Sequence, residues 1–441
     1  MLHASCCKNR SGIKFTIFTI GTHGDVRPYV ALGIGLQAKG HAVTLVTNPE
    51  DAHFCQNLGL NWKPLSGDLR KVDAVIQGMC DDLDSERKSS GAKKFHLLKK
   101  VMQALNDMLD QQFEEVLLWA QDADALIYNP SVFSACHVGQ SLQKPTFQLQ
   151  LQPEIRTTNH SSCFVQSKPL FGKLGNYASH LFFEQLVWQS IRKKINHWRT
   201  ERLKLSKVHL LGPTYDSVLK ELPKWVAVSS SFVPHPKDWT SPSQMTGFLY
   251  LDSASSYQPP PELQVFLEKN PAPLYIGLGS MEGLCPQRTI NCILETIQQK
   301  ALPTLISAGL PLAKKSLPDQ CLLVYSCPHD WLFPQVSAVI HSGGIGTTAA
   351  GLKAGKPTLI LPFATDQFFW GRRIFEMELG PKPLPLKGVE KNSLTFAIND
   401  LTTNLRYQQN ATCISQKIRE ENGVEAVIKM LETEYNRLRI K

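Results

Sequence analysis

Two stretches of the chain repeat the same alternation of short apolar segments and helical segments. In the first, residues 14–20 are rich in β-branched and aromatic side chains, residues 28–39 have helical apolar spacing, and residues 41–47 are apolar again. A strand, a helix and a strand within about 35 residues form a βαβ unit, which implies a parallel sheet. The pattern predicts a buried strand, a helix closed by Gly40 and a second strand.

The same reading predicts the remaining elements. In the first half, strands are predicted at 61–64, 123–128, 145–151 and 225–230, and helices at 51–58, 93–121 and 179–203. In the second half, strands are predicted at 273–278, 304–307, 322–325, 338–341 and 357–362, and helices at 287–300, 331–336, 347–354, 394–400 and 408–438. The fold class predicted is α/β, with two doubly wound, Rossmann-like domains.

A loop rich in proline and serine separates the two series. We predict a first domain at residues 1–240 and a linker at 241–262, whose consecutive prolines enforce an extended spacer. A length of 441 residues agrees with about two to three domains. Because ligands bind beyond the carboxyl ends of parallel strands, we expect the active site in the cleft between the domains.

Charge and cysteine content narrow the functional classes. The net charge of +9 suits an anionic ligand or membrane surface, whereas no recognition motif supports nucleic acid. The 11 cysteines include no C-x-x-C pair, so we expect reduced thiols in the cytoplasm and no zinc site. No apolar window reaches the ~18 residues of a membrane span. Membrane contact is therefore expected to be peripheral, with basic stretches 88–100 and 192–207 as candidate surfaces.

The strongest local sequence signal comes directly after the strand predicted at residues 338–341. His341 closes this strand, and Gly343, Gly344, Gly346 and Thr347 lead into a helix. Glycines let the backbone approach a ligand, and the helix N-terminus presents free N–H groups. The pattern indicates a diphosphate site. The structural alternative is a glycine turn required only for packing.

Other candidates also follow predicted strands. Ser280 ends a second glycine turn and could reach a phosphate. Asp25 follows the first strand and is placed as a general base, with His23 competing for the role and a helix cap as the alternative. Asp366 and Gln367 precede aromatic residues and are candidates for binding sugar hydroxyls, with a helix cap and core aromatics as the alternative.

Two Asp-x-Asp pairs resemble the metal-binding pair of other sugar transferases. They are Asp122 with Asp124, and Asp82 with Asp84. Such pairs are common by chance, and the first precedes a strand, whereas a metal site would need it to follow one. We therefore expect no metal site.

Several motifs, taken in order, resemble the sterol 3-beta-glucosyltransferases within the UDP-sugar transferases of GT-B fold. They read Gly-Thr-His-Gly-Asp-Val-Arg-Pro at 21–28, Phe-Val-Pro-His-Pro-Lys-Asp-Trp at 232–239, Cys-Pro-His-Asp-Trp-Leu-Phe-Pro at 327–334, His-Ser-Gly-Gly-Ile-Gly-Thr-Thr at 341–348 and Asp-Gln-Phe-Phe-Trp-Gly at 366–371. The resemblance covers nearly the whole chain.

The resemblance implies inverting, metal-independent transfer of a hexose, with glucose expected, from UDP-glucose or another UDP-hexose to a lipophilic acceptor such as a sterol. It implies a UDP-sugar-binding domain at 263–415 and a C-terminal helix at 416–441 that crosses back onto the first domain. The residues that it implies are Asp25 as base, Ser280, His341, Gly346 and Thr347 for the diphosphate, Cys327 and Trp331 for uracil, and Asp366 and Gln367 for the sugar.

The chain also departs from the family pattern. The family usually has Arg at His23, a second His at Ser342, Gly at Thr365 and Pro at Phe368, and residues 149–163 lack the aromatic-proline stretch expected beside the acceptor. The alternatives are therefore the same fold acting on a polyketide, a glycopeptide or another lipid, and a catalytically silent nucleotide-sugar-binding protein.

Overall fold

A computed structural model of the chain describes residues 12–67, 91–166, 170–239, 243–279, 285–310, 317–363 and 365–440. The chain divides into two compact units. The first unit comprises Met1–Leu149, Val187–Lys224 and Val424–Lys441, and the second comprises Gln150–Leu186 and Trp225–Gly423. The domain bounds drawn from the sequence stay a prediction.

The described part of the chain contains a seven-stranded sheet with the order β3-β2-β1-β4-β5-β6-β7. Its strands are β1 (Lys14–Phe18), β2 (Ala42–Thr47), β3 (Asn61–Pro64), β4 (Ala125–Tyr128), β5 (Thr146–Gln150), β6 (Lys224–Val226) and β7 (Ser243–Met245). Strand β1 pairs in parallel with β2 and with β4. Phe18 lies opposite both Val46 and Tyr128, so the carboxyl ends of these three strands share one edge.

A second, five-stranded sheet has the order β10-β9-β8-β11-β12 within the described residues. Its strands are β8 (Leu274–Gly277), β9 (Thr304–Ser307), β10 (Cys321–Val324), β11 (Ala338–His341) and β12 (Thr358–Ile360). All four neighbouring pairs are parallel. Counted from its own first strand, this sheet has the same 3-2-1-4-5 order as the start of the first sheet. That order is doubly wound, so the predicted fold class is confirmed.

Helices connect most of the strands. They are α1 (His23–Ala38), α2 (Ala52–Asn57), α3 (Gly91–Ala120), α4 (Ala135–Ser141), α5 (Gly172–Glu201), α6 (Pro261–Lys269), α7 (Gln287–Lys300), α8 (His329–Leu332), α9 (Ile345–Ala354), α10 (Gln367–Glu376), α11 (Lys391–Thr403), α12 (Leu405–Glu420) and α13 (Gly423–Ile440). Helices α4, α6 and α10 and strand β7 are not predicted by the sequence pattern.

Helix α1 begins at His23, earlier than the predicted start at residue 28. Thr22 is its N-cap, and the Thr22 backbone N–H and the Asp25 carboxylate complete a capping box. Pro28 therefore lies inside the helix, although a proline is most often tolerated in the first turn. Gly40 follows the helix with a φ of +85°, as the C-terminal glycine signal predicts.

The stretch predicted as one helix at 408–438 is two helices, α12 and α13. The break is stabilised by tertiary contacts that the sequence pattern does not carry. The Glu421 carboxylate accepts a hydrogen bond from the Ser229 hydroxyl at 2.7 Å. A Cβ at Gly423 would overlap the backbone at Gly247 and Phe248, so only glycine fits at this point.

The C-terminal helix α13 packs against helix α1 within the first unit. Val424 and Ile428 lie against Gly35, where a Cβ would come within 3.0 Å of the Ile428 side chain. Lys39 pairs with Glu425 at 2.9 Å on the exposed rim of this contact. A glycine in α1 thus allows the close approach of the two helices.

Candidate functional site

Asp25 lies at the topological switch point of the first sheet, where the helix after β1 begins beside β4. Its Oδ2 atom accepts the Thr22 backbone N–H at 2.8 Å and the Thr22 hydroxyl at 3.0 Å. Gly21 has a φ of +148°, and a Cβ there would lie 2.5 Å from this oxygen. The carboxylate is half-buried, so the same group forms the helix cap and remains partly accessible.

His23 is held by a carboxylate that the sequence reasoning missed. Its Nδ1 lies 3.1 Å from Asp51 Oδ1, and its ring packs edge-on against Phe54. The His23 side chain is 52% exposed, whereas that of Asp51 is 10% exposed. A carboxylate at Nδ1 makes Nδ1 the protonated nitrogen and leaves Nε2 able to accept a proton. Only the fold brings these two residues together, because they are 28 positions apart.

A buried phenol lies one helical turn beyond Asp25. The Tyr29 hydroxyl donates to the Leu149 carbonyl at 2.5 Å. Burial, with the charge of Asp25 as a second cause, raises the pKa of Tyr29 well above its usual value. The Asn129 side chain hydrogen bonds to this phenol and accepts the Ser131 N–H at 2.8 Å. Tyr29 therefore stays neutral and contributes no competing base.

His341 occupies the equivalent switch point of the second sheet. It is 1% exposed, and its Nδ1 accepts the Gly343 N–H at 2.9 Å, so the ring proton resides on Nε2. Burial lowers the pKa of His341 to about 3 and keeps the imidazole neutral. Among the described residues, Nε2 has no hydrogen-bond partner. A buried donor without a partner costs about 1–3 kcal/mol, which a ligand oxygen would offset.

Gly343 and Gly344, which follow His341 and Ser342, differ in whether the fold could accommodate a side chain. Gly343 has a φ of +97°, and a Cβ there would lie 2.7 Å from Ile360. Gly344 has a φ of −58°, and a Cβ there would meet no atom within 4 Å. Packing therefore requires Gly343 but not Gly344. Gly344 is the N-cap of α9 and no side chain caps this helix, whose first turn includes the exposed Gly346 and the half-buried Thr347.

Ser342 joins the ends of two neighbouring strands. Its hydroxyl donates to the Leu278 carbonyl at 3.0 Å, so it links the turn after β11 to the segment after β8. This contact gives a structural role to the serine that stands where the family usually has histidine. Ser280 lies outside the described residues, and its predicted phosphate contact stays a prediction.

Asp366 is surrounded by hydrogen-bond donors of its own unit. Its Oδ2 accepts Trp370 Nε1 at 2.8 Å and Gln152 Nε2 at 3.4 Å, and its Oδ1 accepts the Thr365 hydroxyl at 3.1 Å. Burial raises the pKa of the Asp366 carboxyl. Asp366 is the N-cap residue of α10, but its side chain makes no capping hydrogen bond and binds the Trp370 side chain instead. The predicted contact with sugar hydroxyls stays a prediction.

The backbone before Asp366 explains why the family usually has glycine at Thr365. Thr365 has a φ of +50°, a conformation that β-branched residues rarely adopt. Gln367 closes the same turn, because its Oε1 accepts the Phe363 N–H at 2.7 Å. A strained threonine therefore lies beside two predicted sugar-binding residues.

The predicted uracil-binding stretch receives a partner from the predicted linker. Tyr257 contacts the Trp331 ring edge-on, with centroids 5.1 Å apart, and hydrogen bonds to Cys327. Burial raises the pKa of the Cys327 thiol, which stays protonated. Asp330 fixes the loop by accepting the N–H groups of residues 253–254 at 2.7 and 2.9 Å. No sequence signal marks Tyr257, since the contact depends on how this loop folds.

The described residues contain no group of three or more His, Cys, Asp or Glu side chains arranged to hold a metal ion. Asp124 instead accepts the Lys14 N–H at 2.8 Å and joins the start of β4 to β1. Asp82 and Asp84 lie outside the described residues. The cysteines that the structure describes are all free thiols, and the expected reducing compartment stays a prediction.

Three of the seven Lys and Arg residues in the basic stretch at 192–207 form ion pairs within the described part of the chain. Lys194 pairs with Asp110, and Arg202 pairs with Glu114 at 2.8 Å. Arg199 is buried. The other stretch, 88–100, lies partly outside the described residues. None of the helices that the structure describes is both long and apolar enough to cross a bilayer.

Known families match both halves of the chain. Residues 15–161 match the glycosyltransferase family 28 N-terminal domain, and residues 305–433 match the erythromycin biosynthesis protein CIII-like C-terminal domain. The chain is similar to solved glycosyltransferases, among them the calicheamicin glycosyltransferase CalG4, with a TM-score of 0.67 and 16% identity over 97% of this chain and 99% of that one. A second is VinC in complex with dTDP, with a TM-score of 0.65 and 14% identity over 97% of this chain and 99% of that one. These likenesses confirm the predicted GT-B fold.

Curated relatives match along nearly the whole chain. A sterol 3-beta-glucosyltransferase of Arabidopsis thaliana is 34% identical over 94% of this chain and 67% of its own length. One of Kluyveromyces lactis is 32% identical over 98% of this chain and 36% of its own length. This chain therefore spans two thirds of the plant relative and about a third of the yeast relative. The chain belongs to the sterol 3-beta-glucosyltransferase family, within the glycosyltransferases of GT-B fold.

Proposed function

We propose that this chain transfers glucose from UDP-glucose to the 3β-hydroxyl of a sterol, with inversion at the anomeric carbon and without a metal ion. The observation that carries the proposal is the similarity to sterol 3-beta-glucosyltransferases at 32–34% identity over 94–98% of this chain. The chain spans only part of each relative, so the activity of the whole protein belongs to the proposal.

The second switch point supports an anionic donor. The first turn of α9 presents backbone N–H groups with no capping side chain, and His341 contributes a buried Nε2–H donor. Both suit the oxygens of a diphosphate, whose negative charge the helix dipole also stabilises. We place the uracil against Trp331 and Cys327 and the sugar hydroxyls against Asp366 and Gln367.

The first switch point supports a base. In our mechanism, Asp25 takes the proton of the acceptor hydroxyl while that oxygen bonds to the anomeric carbon. The bond from the anomeric carbon to the diphosphate breaks in the same displacement, and UDP leaves with the bonding electrons. The transition state is oxocarbenium-like, and a single displacement inverts the configuration. His23, oriented by Asp51, is the alternative base.

A sterol acceptor also has a consequence for location. Sterols reside in bilayers, so we propose that the protein meets its acceptor through peripheral membrane contact. The net charge of +9 supports attraction to an anionic surface. We propose that this takes place on the cytoplasmic side.

A second candidate keeps the donor and changes the acceptor. The solved glycosyltransferases with the same fold include calicheamicin and spinosyn enzymes, and residues 149–163 lack the acceptor stretch expected of the family. A polyketide, a glycopeptide or another lipid is therefore the alternative aglycone. A catalytically silent nucleotide-sugar-binding protein is the remaining alternative.

The test is detection of glycosylated product by mass spectrometry. The protein is incubated with EDTA, with UDP-glucose, UDP-galactose or UDP-N-acetylglucosamine, and with a panel of sterols, other lipids and phenolic polyketides. We expect a hexosyl sterol from UDP-glucose. Product on a different acceptor supports the second candidate, whereas calorimetric binding of UDP-glucose with no product on any acceptor supports the silent binder. Absence of binding and of product overturns the donor assignment.

A further inference from the structure

Helix α5 carries a row of large apolar side chains in solvent. Leu170 and Phe171, just before the helix, are 78% and 86% exposed, and Leu174 and Phe182 within it are 78% and 68% exposed. These four residues are called the apolar ridge. Single exposed apolar residues are ordinary, but several large ones within one short stretch of chain indicate a surface that contacts something else.

The first turns of this helix expose apolar side chains. Leu174, Ala178 and Phe182 follow the four-residue spacing of one helical face, and Phe171 stands just before the helix. The side chains that these turns bury include the polar Ser179, whose hydroxyl accepts a backbone N–H at 2.9 Å. Farther along, the helix buries apolar residues as a surface helix normally does, namely Trp188, Ile191 and Ile195. The exposed apolar face of the first turns therefore suits an apolar medium.

The backbone at the start of the apolar ridge supports this reading. Phe171 has a φ of +67°, the left-handed region that bulky residues rarely occupy. A strained residue is usually held by tight packing, yet this side chain is 86% exposed. Contacts within the chain therefore do not explain why phenylalanine stands here.

The charges around the apolar ridge match a lipid surface. Residues 157–183 contain no Asp or Glu and two lysines, of which Lys173 is exposed within the first turn of α5. The flanking Arg156 and Glu184 neutralise each other at 2.6 Å. A lysine beside apolar residues can extend its ammonium group to a lipid phosphate while its stem stays in the acyl boundary.

A second copy of the chain fits the same face less well. A two-fold interface is self-complementary, so it would bring Lys173 of both copies into one apolar contact. The segment offers no carboxylate to pair with them. A bilayer with anionic headgroups supplies both the apolar medium and the counter-charge.

We propose that the apolar ridge docks on a phospholipid bilayer, with Phe171, Leu174 and Phe182 entering the acyl boundary and Lys173 contacting headgroup phosphates. This names the surface for the peripheral contact proposed above. It places that contact on residues 170–182, at the start of α5, in preference to the basic stretch at 192–207. The docking does not depend on the transfer reaction, because it can be measured without a sugar donor.

The test is flotation of the protein with vesicles of phosphatidylcholine alone and of phosphatidylcholine with 30% phosphatidylserine, that composition being roughly that of an anionic leaflet. Phe171→Ser with Leu174→Ser is compared with Phe396→Ser with Leu405→Ser, a matched pair whose side chains are both 74% exposed elsewhere in the second unit. We expect the ridge variant to partition about tenfold less than wild type, and the control pair to bind as wild type. Thermal unfolding of both variants checks that each is folded.

Charge reversal separates the two contributions. Lys173→Glu changes the local charge by two units, so it is expected to reduce binding to the anionic vesicles about tenfold and binding to the neutral vesicles little. Equal partition of the ridge variant and wild type, or no vesicle binding by wild type, overturns the proposal. A concentration-dependent dimer in wild type that the ridge variant loses, without vesicle binding, assigns the face to a second copy and also overturns it.

Activity keeps this inference distinct from the proposed reaction. If the protein glucosylates sterols, the ridge variant should lose activity toward sterol in vesicles but keep it toward sterol delivered by cyclodextrin. If the protein has no sterol activity, the vesicle partition still decides the docking proposal.

Discussion

The two switch points have the same strand order and opposite chemistry. In the first sheet, the helix after β1 is capped by its own Thr22 and Asp25, so a fixed carboxylate occupies the helix N-terminus. In the second sheet, Gly344 begins α9 and no side chain caps it, while the neutral His341 lies buried beside it. The comparison teaches that the fold sets where a ligand can bind, whereas the side chains at the start of the helix determine the charge of the ligand that the site stabilises.

The difference extends to how each histidine is held. His23 is half-exposed and hydrogen bonds to the Asp51 carboxylate, which suits proton transfer. His341 is buried, accepts a backbone N–H at Nδ1 and keeps its proton at Nε2, which suits donation to a ligand oxygen. In the proposed mechanism, the first site accepts a proton, and the second binds an anion without changing its protonation state.

The largest difference between the two switch points is expected when the charge at the first one is removed. We expect Asp25→Asn to lower kcat by about 10³-fold, since a general base typically contributes 10²–10⁴-fold. The amide can still accept the Thr22 N–H, so the helix cap survives. UDP-glucose affinity, measured by calorimetry, should change less than about twofold, because the proposed mechanism places the carboxylate on the acceptor side of the reaction.

Thr22→Ala is the matched control for this prediction. It removes the hydroxyl contact at 3.0 Å but keeps the carboxylate. We expect a loss of about 1 kcal/mol in stability and little change in kcat. If Asp25→Asn and Thr22→Ala lower kcat equally, the carboxylate acts only as a cap, and His23→Gln then tests the alternative base.

Two neighbouring glycines separate packing from ligand binding at the second switch point. Gly343→Ala is expected to lower the free energy of unfolding by about 2–3 kcal/mol, because φ is +97° and the new Cβ would meet Ile360 at 2.7 Å. Gly344→Ala should change stability by less than about 0.5 kcal/mol but weaken UDP-glucose binding about tenfold. Urea unfolding and calorimetry measure the two effects. A Gly344→Ala variant that binds UDP-glucose as wild type would contradict a backbone approach of the diphosphate.

A smaller effect comes from the buried histidine. The pKa of His341 is about 3 in the folded state, below the unfolded value of about 6.5. The unfolded chain therefore binds the extra proton, so this contribution to stability is present above pH 6.5 and is lost as the pH falls toward 3. Between pH 6.5 and 5.5 the expected loss is about 1 kcal/mol.

The variant His341→Gln isolates the contribution of this histidine to the pH dependence of stability. Its free energy of unfolding, measured in urea at pH 7.0, 6.0 and 5.5, should fall less steeply with acid than that of wild type by about 1 kcal/mol over this range. Thr347→Ser, on helix α9, changes no ionisable group, so it is the control and should follow the wild-type slope. Parallel slopes for His341→Gln and wild type would contradict a buried, neutral imidazole.

The smallest expected effect is at the turn before the predicted sugar site. Thr365 adopts a φ of +50°, so Thr365→Gly should stabilise the chain by about 0.5–1 kcal/mol by relieving strain. It also removes the hydroxyl contact to Asp366 at 3.1 Å. We expect the ratio of KM for UDP-glucose and UDP-galactose to change, while the same ratio in Thr347→Ser, on α9, provides the control. An unchanged ratio would separate this turn from sugar choice.

A structural feature could be predicted from the sequence when it depends on residues that are close together in the chain. Period and glycine signals predicted the strand at 338–341 and the helix at 287–300 with the bounds that the structure has. The same rules predict the start of α1 at Pro28, because a proline resembles a helix start. In the structure the capping box of Thr22 and Asp25 begins the helix at His23, so the helix cap that the sequence offers as the alternative for Asp25 is present.

The sequence by itself determined the two doubly wound sheets, the glycine turn after His341 and the position of Asp25, since each depends on residues adjacent in the chain. Only the tertiary structure decided that Asp51 holds His23, that Tyr257 contacts Trp331, and that the first turns of α5 expose large apolar side chains. These outcomes depend on which distant segments meet and which face a helix turns inward, and hydrophobic period alone does not specify either.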